Sequence, residues 1–172
     1  MNTFNLHVTD TNLVALKSKK SAVDLGYMKD HFIHFFVPNT PRKEVVMNKG
    51  YWCRYYCIYT ILRKFIKNSK EPVQIVSLGC GLDTTPFNLI NELAQENITH
   101  FRIFESDLES VVKDKISVIK HHSEFGSYIE DKLKSTIDKH HISGERYSLF
   151  PFDLNDPKML AEVFKNASID PT

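Results

Sequence analysis

The stretch Val73-Gln74-Ile75-Val76-Ser77-Leu78-Gly79-Cys80-Gly81-Leu82-Asp83-Thr84-Thr85 is an apolar run of strand length that breaks into a glycine loop. A continuous apolar run is the pattern of a strand buried on both faces, and glycines directly after it let the backbone approach a ligand closely. An α/β sheet begins a nucleotide pocket in this way. Spacing excludes two better-known pockets. A dinucleotide fingerprint has a third glycine where this chain has Thr84, and the Gly-Lys-Ser/Thr of a P-loop does not follow. The loop instead leads into a helix, with Thr84 or Thr85 as N-cap and Pro86 suited to a first helical position.

Outward from this loop the pattern alternates. Strands are predicted at 73–78, 100–105 and 146–150, and helices at 84–93, 108–119 and 157–165. Such alternation implies a parallel sheet with right-handed crossovers. The stretch 121–141 is polar and reads as an insertion carrying one helix over 129–137. Upstream, 12–26 reads as a helix that stops at Gly26, with Leu13, Val14, Leu16, Val23 and Leu25 set around Lys17, Lys19 and Lys20. The short apolar segment 31–37, closed by Pro38, reads as irregular or helical. Residues 44–68 read as a long helix, because Tyr51, Tyr55, Ile58, Leu62 and Phe65 recur at three and four residues. Trp52, Tyr56 and Tyr59 widen that stripe, which predicts a broad buried face. The whole is one domain, with a helical part over 1–70 and an α/β part over 71–172.

Composition narrows the function classes. With 172 residues, 42% hydrophobic and 25% charged, the chain can bury one ordinary core. A net charge of +1 gives no field to draw the protein to nucleic acid or to an anionic membrane. Without a signal-peptide pattern or a membrane-length apolar run, the expected compartment is the cytoplasm. Cys53, Cys57 and Cys80 are an odd set and read as free thiols. The pairs His121-His122 and His140-His141 lack the usual ligand spacing, so no metal site is expected.

In an open parallel sheet the ligand lies beyond the carboxyl ends of the strands. The second strand ends Phe104-Glu105-Ser106-Asp107, which places carboxylates where a ribose would lie. A carboxylate accepts from both vicinal hydroxyls, although Asp107 is equally placed to cap the next helix. The third strand ends Phe152-Asp153-Leu154, where an acceptor could take an adenine amino proton and a leucine could cover the ring. Capping of the following helix is again the plain alternative.

The glycine loop resembles the first motif of S-adenosylmethionine-dependent methyltransferases, and the chain as a whole resembles the leucine carboxyl methyltransferase family. The likeness lies in Lys19-Lys20-Ser21-Ala22-Val23-Asp24-Leu25-Gly26-Tyr27, in Asn48-Lys49-Gly50-Tyr51-Trp52-Cys53-Arg54, in Leu78 to Thr85, in Phe104 to Asp107, and in Arg146-Tyr147 through Asp153-Leu154. It implies the N-terminal half of a class I S-adenosylmethionine-dependent methyltransferase, a Rossmann-like parallel sheet of about three strands preceded by helices. By this resemblance Lys19 and Arg54 would hold the methionine carboxylate of S-adenosylmethionine, and Gly79 would lie against the methionine portion. Asp107 would hold the ribose, and Asp153 with Leu154 would bind adenine. The plain alternatives are a solvated helix face for Lys19 and cation–π packing for Arg54.

The implied reaction is methylation of the C-terminal leucine carboxylate of the protein phosphatase 2A catalytic subunit. The related tRNA wybutosine carboxymethyltransferases share several motifs, but Asp83-Thr84-Thr85 and the near-neutral charge lean toward the leucine carboxyl branch. The family continues with further strands, so the chain is expected to be either part of a longer methyltransferase or a short, inactive relative that binds a nucleoside or a partner. The strand 73–78 is then expected to keep one unpaired edge and to make the isolated chain unstable or prone to associate.

Overall fold

The computed structural model describes residues 3–126, 136–137, 140–156 and 159–170, with side chains over 11–126, 140–156 and 159–170. Contacts divide the chain into two units, Met1–Lys67 with Leu82–Leu89, and Asn68–Gly81 with Ile90–Thr172.

The first unit is helical. Helix α1 (Thr3–Asp24) ends as predicted: Gly26 takes a φ of +76°, its N–H bonds to Val23 O, and the Tyr27 N–H returns to Ala22 O. This double closure satisfies the last carbonyls of the helix. Leu16 packs with Ile33 and Val37 around the one-turn helix α2 (Ile33–Phe36), and Phe32 meets Phe87 at a ring separation of 5.7 Å. Lys19 and Lys20 are each only 7% exposed, whereas Leu13 and Val14 face solvent, so the basic residues lie on the buried side of α1.

Helix α3 (Val45–Asn68) confirms the predicted segment but not its broad buried face. Only Asn48 and Ile66 are buried, while Trp52, Tyr56, Ile58, Ile61 and Phe65 are exposed. The apolar positions are spread around so much of the circumference that one packed stripe cannot cover them. Two aromatic pairs stack along the helix instead, Trp52 on Tyr56 and Tyr55 on Tyr59.

The second unit is a five-stranded sheet in the order β1-β2-β5-β4-β3. Strands β1 (Val73–Leu78), β2 (Phe101–Asp107) and β5 (Tyr147–Pro151) are parallel and form the predicted trio. Two short strands, β3 (Thr136–Ile137) and β4 (Ile142–Ser143), extend it antiparallel to β5. The helix expected over 129–137 is therefore a strand at 136–137, and its remainder lies outside the described residues. Between the parallel strands run α4 (Thr85–Gln95) and α5 (Glu109–His121), and α6 (Leu160–Asn166) follows β5. The expected helix start at Pro157 lies outside the described residues.

Burial inverts one expectation. β1 is an edge strand that buries only Val73 and leaves Leu78 42% exposed, whereas central β2 is buried at every position but Arg102. The edge position is the one expected for strand 73–78, whereas its expected burial on both faces is not observed.

One charged group crosses the interior. Lys115, on the apolar side of α5, reaches Glu105 of β2 at 2.6 Å, and the Tyr147 hydroxyl of β5 donates to the same Oε2 at 2.6 Å. All three side chains are 1% exposed or less. Breaking one partner of a buried ion pair strands the other charge and costs about 3–5 kcal/mol. Lys115→Met is expected to lose about that much in urea unfolding, and Lys115→Met with Glu105→Leu to recover most of it, because the double change leaves no orphan charge.

Candidate functional site

The second unit builds its part at the carboxyl ends of β1 and β2. Gly79 and Gly81 take φ values of +69° and +55°, a backbone region that residues with a Cβ rarely enter. The turn they form lays successive amides on the end of β2. Gly79 and Cys80 donate to the Ser106 carbonyl at 2.8 and 3.0 Å, and Gly81 donates to Asp107 Oδ2 at 2.7 Å. Asp107 Oδ1 accepts the Leu108 N–H at 2.7 Å. The helix begins at Glu109 with Leu108 as its N-cap and no side-chain cap, so Asp107 ties down the glycine loop rather than capping α5.

The residues fit a nucleoside. A carboxylate has about four acceptor positions, of which these two amides use two, so Asp107 keeps capacity for a pair of vicinal hydroxyls. A Cβ built on Gly79 would lie 4.0 Å from Leu154 Cδ1, which leaves the side-chain-free face of Gly79 beside an exposed apolar side chain. Asp153 is exposed and its Oδ1 accepts from both the backbone and the side-chain amide of Asn155, at 2.9 and 2.8 Å. This bond holds the turn that presents Leu154, and α6 starts at Leu160 without any side-chain cap. Glu105, read from sequence beside Asp107 as a ribose-side carboxylate, is instead consumed by Lys115 and Tyr147.

The first unit gathers Lys19, Asp30, Asp83 and Thr84. Lys19 Nζ lies 2.9 Å from Asp30 Oδ2, 2.8 Å from Asp83 Oδ1 and 2.8 Å from Thr84 Oγ1. The Thr84 hydroxyl donates in turn to Asp30, whose other oxygen accepts the Phe32 and Ile33 amides at 3.0 Å. The Tyr55 ring lies under the ammonium at 5.2 Å. A solvated Lys19 is thus excluded, and Lys19 makes a cation–π contact with Tyr55. Arg54 is exposed on α3. Asp30 was not visible from the sequence, which carries no periodic or motif signal at that position.

Burial pulls the Lys19 pKa down, but the Asp83 and Asp30 carboxylates more than reverse this and hold it above the ordinary 10.5. Burial likewise pushes Asp30 up, and the Lys19 charge with hydrogen bonds from Thr84 and Asn88 brings it below the ordinary 3.8. A lysine with a raised folded pKa contributes stability below its unfolded value and loses it as pH rises through the folded one. An aspartate with a lowered folded pKa contributes above its unfolded value and loses it as pH falls through the folded one. Asp30→Asn and Lys19→Met should therefore reduce thermal stability at pH 7, and the contribution of this pair should fade below pH 3.8 and above pH 10.5 in melts across pH.

Comparison with known proteins adds the following. The sequence profile of the leucine carboxyl methyltransferase family matches residues 7–172. The chain is 33% identical over 164 residues to "Leucine carboxyl methyltransferase 1 homolog" of Arabidopsis thaliana, covering 95% of this chain and 48% of that protein. It is 33% identical over 152 residues to leucine carboxyl methyltransferase 1 of Schizosaccharomyces pombe, covering 88% and 48%. It is also 31% identical over 160 residues to tRNA wybutosine-synthesizing protein 4 of Aspergillus fumigatus, covering 92% and 15%. The chain thus spans about half the length of the carboxyl methyltransferases it matches. Among the described residues no helix is long and apolar enough to cross a membrane.

Proposed function

The chain belongs to the leucine carboxyl methyltransferase family, and from that premise we propose that it carries the cofactor-binding residues of an S-adenosylmethionine-dependent O-methyltransferase. Its acceptor in this reading is the C-terminal leucine carboxylate of the protein phosphatase 2A catalytic subunit, and its place of work is the cytoplasm. The observation that carries the reading is Asp107, a carboxylate at the end of β2 that fixes the glycine loop through Gly81 and keeps acceptor capacity.

S-Adenosylmethionine, when bound, supplies a methyl group already activated on a sulfonium. Asp107 would accept hydrogen bonds from the ribose hydroxyls, Leu154 would pack against the adenine, and Asp153 would accept a hydrogen bond from its amino group. Lys19 and Arg54 hold the methionine carboxylate, as the family resemblance assigns them. A terminal carboxylate is ionised at neutral pH, so no general base is required. The remaining task is alignment, which can lower a barrier by roughly 7–11 kcal/mol in favourable cases.

A second reading, a part of a tRNA wybutosine-synthesizing enzyme, is favoured by the relatives of that name. The net charge of +1 supports the protein substrate over tRNA.

Calorimetric titration of S-adenosylmethionine tests the proposal. Saturable binding is expected, weakened about 10- to 100-fold by Asp107→Ala, since a hydrogen bond to a charged group contributes roughly 1.5–3 kcal/mol. Labelled methyl should then appear on a phosphatase tail peptide and not on tRNA. A folded chain that binds no S-adenosylmethionine would overturn the cofactor assignment.

A further inference from the structure

The ammonium of Lys19 is saturated. It has three N–H donors, and acceptors on Asp30, Asp83 and Thr84 lie within 2.9 Å of its nitrogen. A ligand carboxylate held by Lys19 must therefore displace one of them. The three are not equally able to leave. The Asp30 side chain is fully buried and braces the start of α2, and Thr84 is fully buried and donates to Asp30. The Asp83 side chain is 45% exposed, so it alone of the three can turn into solvent. Charge points the same way. One ammonium already faces two carboxylates, and a third carboxylate joining both would meet net repulsion, which departure of Asp83 into solvent removes.

We propose that Asp83 is a displaceable internal stand-in for the ligand's carboxylate, occupying Lys19 until a carboxylate-bearing nucleoside takes its place. This rests on the reading of Lys19 as the residue that receives the methionine carboxylate. Asp83 then acts as a specificity-tuning residue. Ligands with an amino-acid tail bind against its competition, and nucleosides without a carboxylate leave the Lys19–Asp83 pair closed. The apparent affinity for the tailed ligand is lowered by the fraction of molecules in which the pair is closed.

The test compares S-adenosylhomocysteine, which has the carboxylate, with 5′-methylthioadenosine, which lacks the whole amino-acid tail, by calorimetry on the full chain and on Asp83→Asn. Asparagine keeps the shape and the Oδ1 acceptor for Lys19 and for the Thr84 amide, and loses only the charge that strengthens the competing bond. The expected result is tighter S-adenosylhomocysteine binding by on the order of three- to tenfold, with 5′-methylthioadenosine unchanged. A second measurement needs no variant. Carbon NMR of the wild-type Asp83 carboxyl should show its resonance moving when S-adenosylhomocysteine is added and not when 5′-methylthioadenosine is added. If Asp83→Asn leaves the ratio of the two affinities unchanged, or weakens the tailed ligand, and the Asp83 carboxyl does not respond, the stand-in is overturned while the cofactor reading stands. If neither ligand binds the wild-type chain, both fall together.

Discussion

The backbone amides of Gly79, Cys80 and Gly81 all end on the last two residues of β2, two on the Ser106 carbonyl and one on the Asp107 carboxylate. A carbonyl oxygen has two lone pairs, so the third amide of a tight loop needs another acceptor, and burial without one is costly. Asp107 supplies it. The left-handed glycines, the carboxylate and the register of β1 on β2, with Leu78 opposite Ser106, are therefore one interdependent arrangement. Asp107 thus holds the glycine loop in place through its side chain. Its loss loosens that support, because each of its two oxygens accepts a backbone amide.

Each unit also buries a lysine among acceptors, and the two clusters differ in a way that matters. In the second unit Lys115, Glu105 and Tyr147 form a closed set with one charge of each sign, all out of solvent. Such a set fixes the packing of α5 and β5 on β2 and offers nothing to a ligand. In the first unit Lys19 faces two carboxylates, one buried and one half-exposed. An excess of one charge with a side open to water is the arrangement that can exchange a partner.

The parallel trio and its helices were legible because strand and helix periods differ and the glycine loop punctuates them. What failed did so for physical reasons. The run at β1 keeps the unpaired edge expected of it, yet its expected burial on both faces fails, because an edge strand leaves all but Val73 partly open to solvent. The aromatics of α3 obey helical spacing but encircle the helix, so periodicity overstated burial. β3 and β4 are two residues each, too short for any period to show. Lys115 did leave a trace: it interrupts the apolar side formed by Val111, Val112, Ile116 and Ile119, and a lysine there calls for a buried acid such as Glu105. Lys19 and Lys20 left none, because lysines in a basic cluster read as solvated. At the candidate site Asp107 and Gly79 were legible from strand-end logic, and Lys19 and Arg54 only through family resemblance.

The described carboxylates also bear on the chemistry. Asp30, Asp83, Glu105 and Asp107 each accept from an amide, a hydroxyl or an ammonium. Asp30 is held below the ordinary aspartate range by these partners. A general base for an alcohol or amine nucleophile works best with a pKa near neutrality, which for a carboxyl group requires a shift in the opposite direction. These acids are organised to hold cations, amides and hydroxyls in place.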